Sequence, residues 1–280
     1  IHMNTKPRPV TRRVVRSKSG APTNQELLLE LGVEELPSHF IAPALDGLKD
    51  AMARMLKEAR LACGGIRTYG TPRRLVMVVT GLEPKQAAAV REAMGPSKAV
   101  AFDPQGQPTK AAIGFAASQG LDVKDLEVRQ TPKGEYLFAV KRDAGRSTSA
   151  VLSEILPTLI STLPFPKTMK WNDSGLRFAR PLRWMVALYG KTVVKCTVGG
   201  VTAGAVTYGH RFLGGTKKGG FAPLPVRDEA SYRKALDTHG VTVDPAQRRE
   251  LIDAQVALHA KALHGQAHRD EALIDQAVFS

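Results

Sequence analysis

The sequence has little cysteine, no long apolar run and none of the usual catalytic signatures. Cys63 and Cys196 are its two cysteines and stand alone, which argues against a disulfide framework or a structural zinc site. The longest uninterrupted apolar runs, 75–79 and 184–189, fall far short of the roughly 20 residues that a membrane-spanning helix needs, so an integral helical membrane protein is excluded. Residues 1–25 are basic but hold no apolar stretch of the roughly 7–15 residues a secretory signal requires. These absences predict a reducing, cytoplasmic setting.

Absences of chemistry are equally informative. Gly190-Lys191-Thr192 resembles the end of a phosphate-binding loop, but Met185 stands where that motif needs a glycine. No Gly-x-Ser-x-Gly elbow occurs. Glu34 and Glu35, read as strand neighbours, point to opposite faces, and Glu30 and Glu34 would lie about 13 Å apart, so an acid/base pair is not indicated. His259, His264 and His268 have no cysteine beside them, and Gly265 breaks the helix between the last two, so no metal site is expected.

What is present is positive charge. Forty Lys+Arg against 26 Asp+Glu give a net charge of +14. Residues 1–25 hold six basic and no acidic side chains, and residues 161–221 hold ten basic against Asp173 alone, while the remainder is nearly balanced. Such clustering makes nucleic acid the leading partner class. The stretch 1–25 has too few apolar residues to offset the entropy of ordering and reads as a disordered basic leader.

Periodicity predicts an α+β fold, with a mixed, largely antiparallel sheet body and packed helices over 26–221 and a helical segment over 222–280. The body has room for two subdomains. From Glu26 a two-residue alternation gives a strand with a core face of Leu27, Leu29, Leu31 and Val33. An amphipathic helix then carries Ile41, Leu45, Leu48, Met52 and Met55 on one side, ending at Gly64-Gly65. Strands are expected at 66–69, 75–80, 136–140, 182–188, 192–198 and 201–208, and helices at 110–119, 147–163, 228–238 and 245–264. Gly95-Pro96 and Asp103-Pro104-Gln105-Gly106 read as turns.

Within 161–221, cations interleave with aromatics, in Phe165-Pro166-Lys167-Thr168-Met169-Lys170-Trp171, in Arg177-Phe178-Ala179-Arg180-Pro181-Leu182-Arg183-Trp184 and in His210-Arg211-Phe212. Two readings follow. Lys and Arg could meet phosphates while rings stack on unpaired bases, or Trp171, Phe178 and Trp184 could belong to the core, with Arg180 and Arg183 set against carboxylates such as Glu34. The candidate nucleic-acid-binding residues are Arg73, Arg74, Lys167, Lys170, Arg177, Arg180, Arg183, His210 and Arg211.

These segments carry a resemblance. The runs 29–37 (LELGVEELP), 71–75 (TPRRL), 101–103 with Gly106, 108–112 (PTKAA), 134–137 (GEYL), 163–171, Phe178-x-Arg180-Pro181 and 209–212 (GHRF) are together similar to the beta subunit of the bacterial two-subunit glycyl-tRNA synthetase. The match covers about residues 26–280 and departs at Val33, Ser38-His39, Tyr208 and an extra loop at 216–220. The resemblance implies an N-terminal fragment of a non-catalytic subunit in an alpha2 beta2 glycine:tRNA ligase. The alpha subunit would hold the class II core with its ATP and magnesium, and the beta subunit would recognise tRNA(Gly). No cofactor is expected on this fragment. In agreement, no class II Phe-Arg-x-Glu string occurs, since Arg177-Phe178-Ala179-Arg180 is followed by Pro181.

The resemblance also extends to accessory domains of the phenylalanyl-tRNA synthetase beta chain, which raises an editing hydrolase as an alternative. Glycine is the smallest amino acid, so steric exclusion suffices against larger rivals and proofreading is not required. A protein-interaction scaffold, with cations serving only solubility, is the other alternative.

Overall fold

The computed structural model describes residues 25–213 and 222–280, so the expectations for the basic leader and for the 216–220 loop fall outside the described residues. The chain order is β1 (Gln25–Val33), α1 (Ser38–Glu58), β2 (Gly65–Thr71), β3 (Arg74–Leu82), β4 (Ala89–Ser97), α2 (Lys98–Ala101), α3 (Lys110–Gln119), β5 (Leu126–Thr131), β6 (Gly134–Asp143) and α4 (Thr148–Ser161). It continues with β7 (Leu182–Tyr189), β8 (Thr192–Val193), β9 (Thr197–Val198), β10 (Val201–Thr202), β11 (Val206–Tyr208), β12 (Pro223–Pro225), α5 (Glu229–Thr238), α6 (Pro245–Ala262) and α7 (Glu271–Val278). This is an α+β architecture, and its strand pairs are antiparallel. None of the helices among the described residues is long and apolar enough to cross a membrane.

The main sheet has the order β2-β3-β1-β7-β8, with the Leu-rich β1 at its centre. The odd residues Leu27, Leu29, Leu31 and Val33 face α1 and α4, packing with Ile41, Leu48 and Met52 and with Leu152, Leu156 and Ile160. The opposite face is buried as well. Leu28, Val76, Val78, Val186 and Leu188 pack there against Tyr232 and Leu236 of α5 and against Val226, Val241 and Val243. A sheet covered on both sides explains why β1 and β3 read as almost continuous apolar runs. Gly32 marks where this packing is closest: a Cβ there would lie 1.9 Å from the Trp184 ring, so glycine sits mid-sheet because the indole crosses its backbone.

Residues 89–143 form a second, three-stranded sheet in the order β4-β6-β5, backed by α2 and α3 through Ala101, Ala112 and Leu137. Two expectations change here. Gly95-Pro96 lies inside β4, at a register shift between Met94 and Ser97, and not in a turn. Its glycine admits the Phe115 ring, 2.5 Å from where a Cβ would stand, so local turn chemistry was overridden by packing. The strand expected over 192–198 divides into β8 and β9, and that over 201–208 into β10 and β11. Asp103 closes its turn as expected, its carboxylate accepting from the backbone N–H groups of Gln105 and Gln107 at 3.0 and 2.7 Å.

Candidate nucleic-acid interface

The segment between α4 and β7 folds back on itself through a two-way backbone bridge, Met169 N to Phe178 O at 2.8 Å and Phe178 N to Met169 O at 3.2 Å. Asn172 fastens its tip, accepting from Ser174 Oγ at 2.6 Å and donating to the Gly199 carbonyl at 2.8 Å. Its rings turn inward: Phe178 is buried and meets Phe165 edge-on at 4.7 Å, and Trp171 packs against the main core. The cations turn outward, with Lys167, Lys170 and Arg177 exposed. Arg177 is steadied by a 3.2 Å hydrogen bond from its Nε to Thr168 Oγ1, and the two lysines make no ion pair among the described residues. The cation–aromatic interleaving is therefore largely an inside–outside alternation, with Phe178 buried and Phe165 and Trp171 half-buried against the core.

A second group gathers at the C-terminal end of β1. The strand stops at Val33, so Glu34 and Glu35 escape strand alternation and both reach Arg73 in the Pro72-Arg73 turn, at 3.0 and 3.4 Å. Arg183 Nε lies 3.4 Å from Glu34, and Arg180 donates from Nε to the Glu35 carbonyl at 3.1 Å and from a terminal nitrogen to the Ala179 carbonyl at 3.2 Å. In His210, Nδ1 accepts from the N–H groups of Phe212 and Leu213 at 3.1 and 3.0 Å. Arg211 is exposed, with its guanidinium 5.6 Å from the Phe212 ring, and Phe212 is itself 82% exposed.

Arg74 departs from the expected surface position. Only 4% exposed, it pairs through Nε with the fully buried Glu30 at 3.1 Å and donates to the carbonyls of Tyr208 and Gly209. Glu30 Oε1 also accepts from Thr207 Oγ1 at 2.9 Å and from the Tyr232 hydroxyl at 3.0 Å. Burial raises the Glu30 carboxyl above its ordinary range, while the Arg74 charge and these hydrogen bonds pull it back. Arg74 is thus chiefly a core counter-ion, committed to Glu30 and two backbone carbonyls. Its register decides this: it opens β3 on the face that carries Glu30 and α5.

The profile of the glycyl-tRNA synthetase beta subunit matches residues 27–279, nearly the whole described chain. The chain belongs to that family. It is 44% identical over 252 residues to the glycine–tRNA ligase beta subunit of Desulforamulus reducens, covering 90% of this chain and 35% of that protein. It is 43% identical over 255 residues to the beta subunit of Geobacter metallireducens, covering 91% of this chain and 36% of that protein. The chain therefore spans about a third of the length of the curated relatives it matches.

Within this beta-subunit chain, the structure brings Arg73, Arg74 and His210 around a single cavity and places Lys167, Lys170 and Arg177 on a separate loop. Arg180 and Arg183 join the Arg73 group through Glu35 and Glu34. Sequence reasoning missed Ser38, Thr242 and Arg248, which line the same cavity. No local motif marks them, since α6 reads as an ordinary solvated helix and its contact with β2 is tertiary.

Proposed function

We propose that this chain is the N-terminal tRNA-binding and assembly part of a glycine–tRNA ligase beta subunit. It would support ATP-dependent attachment of glycine to tRNA(Gly) in the cytoplasm, within an alpha2 beta2 complex whose alpha subunit holds ATP, magnesium and the catalytic core. Family membership motivates the assembly role. The observation that carries the tRNA role is the loop of exposed Lys167, Lys170 and Arg177, held from beneath by buried and half-buried rings, which offers positioned charge without a carboxylate partner among the described residues. Arg73, Arg180, Arg183, His210 and Arg211 complete the proposed surface. Arg74 does not belong to it.

Phosphate contacts of this kind have a salt signature. If about five cations meet phosphates, tRNA affinity falls with salt at a logarithmic slope near −3.5 to −4.5. Lys167→Glu with Lys170→Glu is expected to make that slope shallower by about 1.5 and to reduce the preference for tRNA over other RNA while leaving the fold intact, because both side chains are exposed. Deletion of residues 1–24, which removes six cations, is expected to weaken binding to all RNAs alike. Loss of all binding on deletion, with no effect of the double reversal, would make the internal stretch structural and leave the basic leader alone to account for RNA affinity.

A further inference from the structure

Between the Pro72-Arg73 turn, the start of α1, the His210 loop and the α6–α7 pair lies a cavity of about 520 Å³, within the size range of small-molecule sites. Its notable feature is Arg248. The guanidinium donates to three carbonyls, from Nε to Val278 at 2.7 Å and from its terminal nitrogens to Thr242 at 2.8 Å and Gly70 at 2.6 Å. It has no carboxylate within ion-pair distance among the described residues. Burial pushes its pKa down to about 10, against a modest opposing pull from Asp244. Asp244 is itself engaged by Arg233 at 3.3 Å.

A half-buried guanidinium held only by neutral carbonyls lacks a counter-charge among the described residues, and an anion entering the cavity would supply one. Two of the five guanidinium N–H donors remain after the three carbonyls. Further donors line the same space. The hydroxyls of Ser38 and Thr242 have no partner among the described residues, and His210, whose Nδ1 accepts two N–H groups, carries its ring proton on Nε2 when neutral. Glu35 supplies a lining side-chain carboxylate, but it is 67% exposed and bound to Arg73, and Ser280 lines the rim as well. Phe279, whose ring centroid lies 5.6 Å from the Arg248 guanidinium carbon, adds a flat apolar wall.

We propose that this cavity binds a nucleoside monophosphate unit, with the phosphate at Arg248, Ser38, Thr242 and His210 and the base against Phe279. The unit could be a free nucleotide or the unpaired end of an RNA strand, and only the second source rests on the tRNA reading given above.

Calorimetric titration of the chain at low salt with adenosine 5′-monophosphate, adenosine and inorganic phosphate tests this. The monophosphate is expected to bind at one site and adenosine at least tenfold more weakly. Thr242→Val with Ser38→Ala, and separately Arg248→Met, are each expected to weaken the monophosphate about tenfold or more. Because Arg248 also ties α6 to β2, the hydroxyl variant carries the test if Arg248→Met melts early. Equal or absent binding of adenosine and its monophosphate, or an unchanged affinity in the hydroxyl variant, overturns the site. A trinucleotide RNA that binds tighter than the monophosphate, together with loss of tRNA affinity in the hydroxyl variant, assigns the RNA end. Binding of the monophosphate alone assigns a free nucleotide. The monophosphate titration uses no tRNA, so it stands or falls apart from the lysine-reversal experiment.

Discussion

Glu30 shows how a single side chain in a central strand can tie three other elements together. Its carboxylate takes the Arg74 guanidinium from β3, the Thr207 hydroxyl from β11 and the Tyr232 hydroxyl from α5. All three contacts converge on Oε1, giving a fully buried acid a counter-charge and two hydroxyl donors. Tyr232 is held well above its usual pKa by burial and by the neighbouring carboxylate, so it remains a donor at all ordinary pH values. Arg74→Met leaves the acid without its cation and is expected to cost about 3–5 kcal/mol near pH 8. The pH dependence has a definite sign. A carboxyl whose folded pKa is raised above its unfolded value contributes stability below the unfolded value and loses it as pH rises through the folded one. Removing Arg74 raises the Glu30 pKa further, so the deficit of Arg74→Met relative to the parent should shrink between pH 8 and pH 5. Urea unfolding at both pH values checks this, with Glu30→Gln/Arg74→Met expected to show no such shrinkage.

At the scale of elements, α5 closes the second face of the main sheet. Asp228 caps it, accepting from the Ser231 N–H at 2.8 Å, and Tyr232 and Leu236, one helical turn apart, deliver the buried side chains. Leu236 is fully buried among Val76, Val186, Val241 and neighbours, so Leu236→Ala is expected to destabilise the protein by about 2–5 kcal/mol. The helix should unfold with the sheet in one transition, since the two share a core. Thermal unfolding followed both by far-ultraviolet circular dichroism and by tryptophan fluorescence checks this, because Trp184 sits in β7 of that sheet. Separate transitions for the two probes would show instead that α5 docks as an independent unit.

Over the described residues, unpaired positive charge lies away from the core. The main-sheet region holds its arginines in pairs with glutamates, whereas the loop ahead of β7 presents lysines without them. The described surface offers cations and a cavity, and on the division of labour proposed above the amino-acid-activating core lies on the alpha subunit. The purified chain alone is therefore expected to give no glycine-dependent pyrophosphate exchange and no deacylation of glycyl-tRNA. Exchange by the chain without a partner subunit would contradict the division of labour proposed here.

The sequence by itself determined the α+β class, the helices α1, α3, α4 and α5 to within a few residues, and the family, because helix periodicity, caps and ordered motifs are local signals. Asp228 and Ser147 were legible as helix starts for that reason. Strands of the smaller sheet were less so: β4 and β5 escaped notice because Gly95-Pro96 carries turn chemistry and neither strand has a fully buried side chain, leaving little hydrophobic pattern to read. For the candidate interface, the sequence supplied the cations and only tertiary structure sorted them. Arg73 and Arg74 are adjacent, yet one occupies a turn beside Glu34 and Glu35 and the other opens a strand over Glu30. Arg248 and Thr242 meet Ser38 and His210 at one cavity only after α6 has docked against β2. Local sequence encodes how each segment bends and which of its faces is apolar; which charge is buried depends on what a distant segment places opposite it.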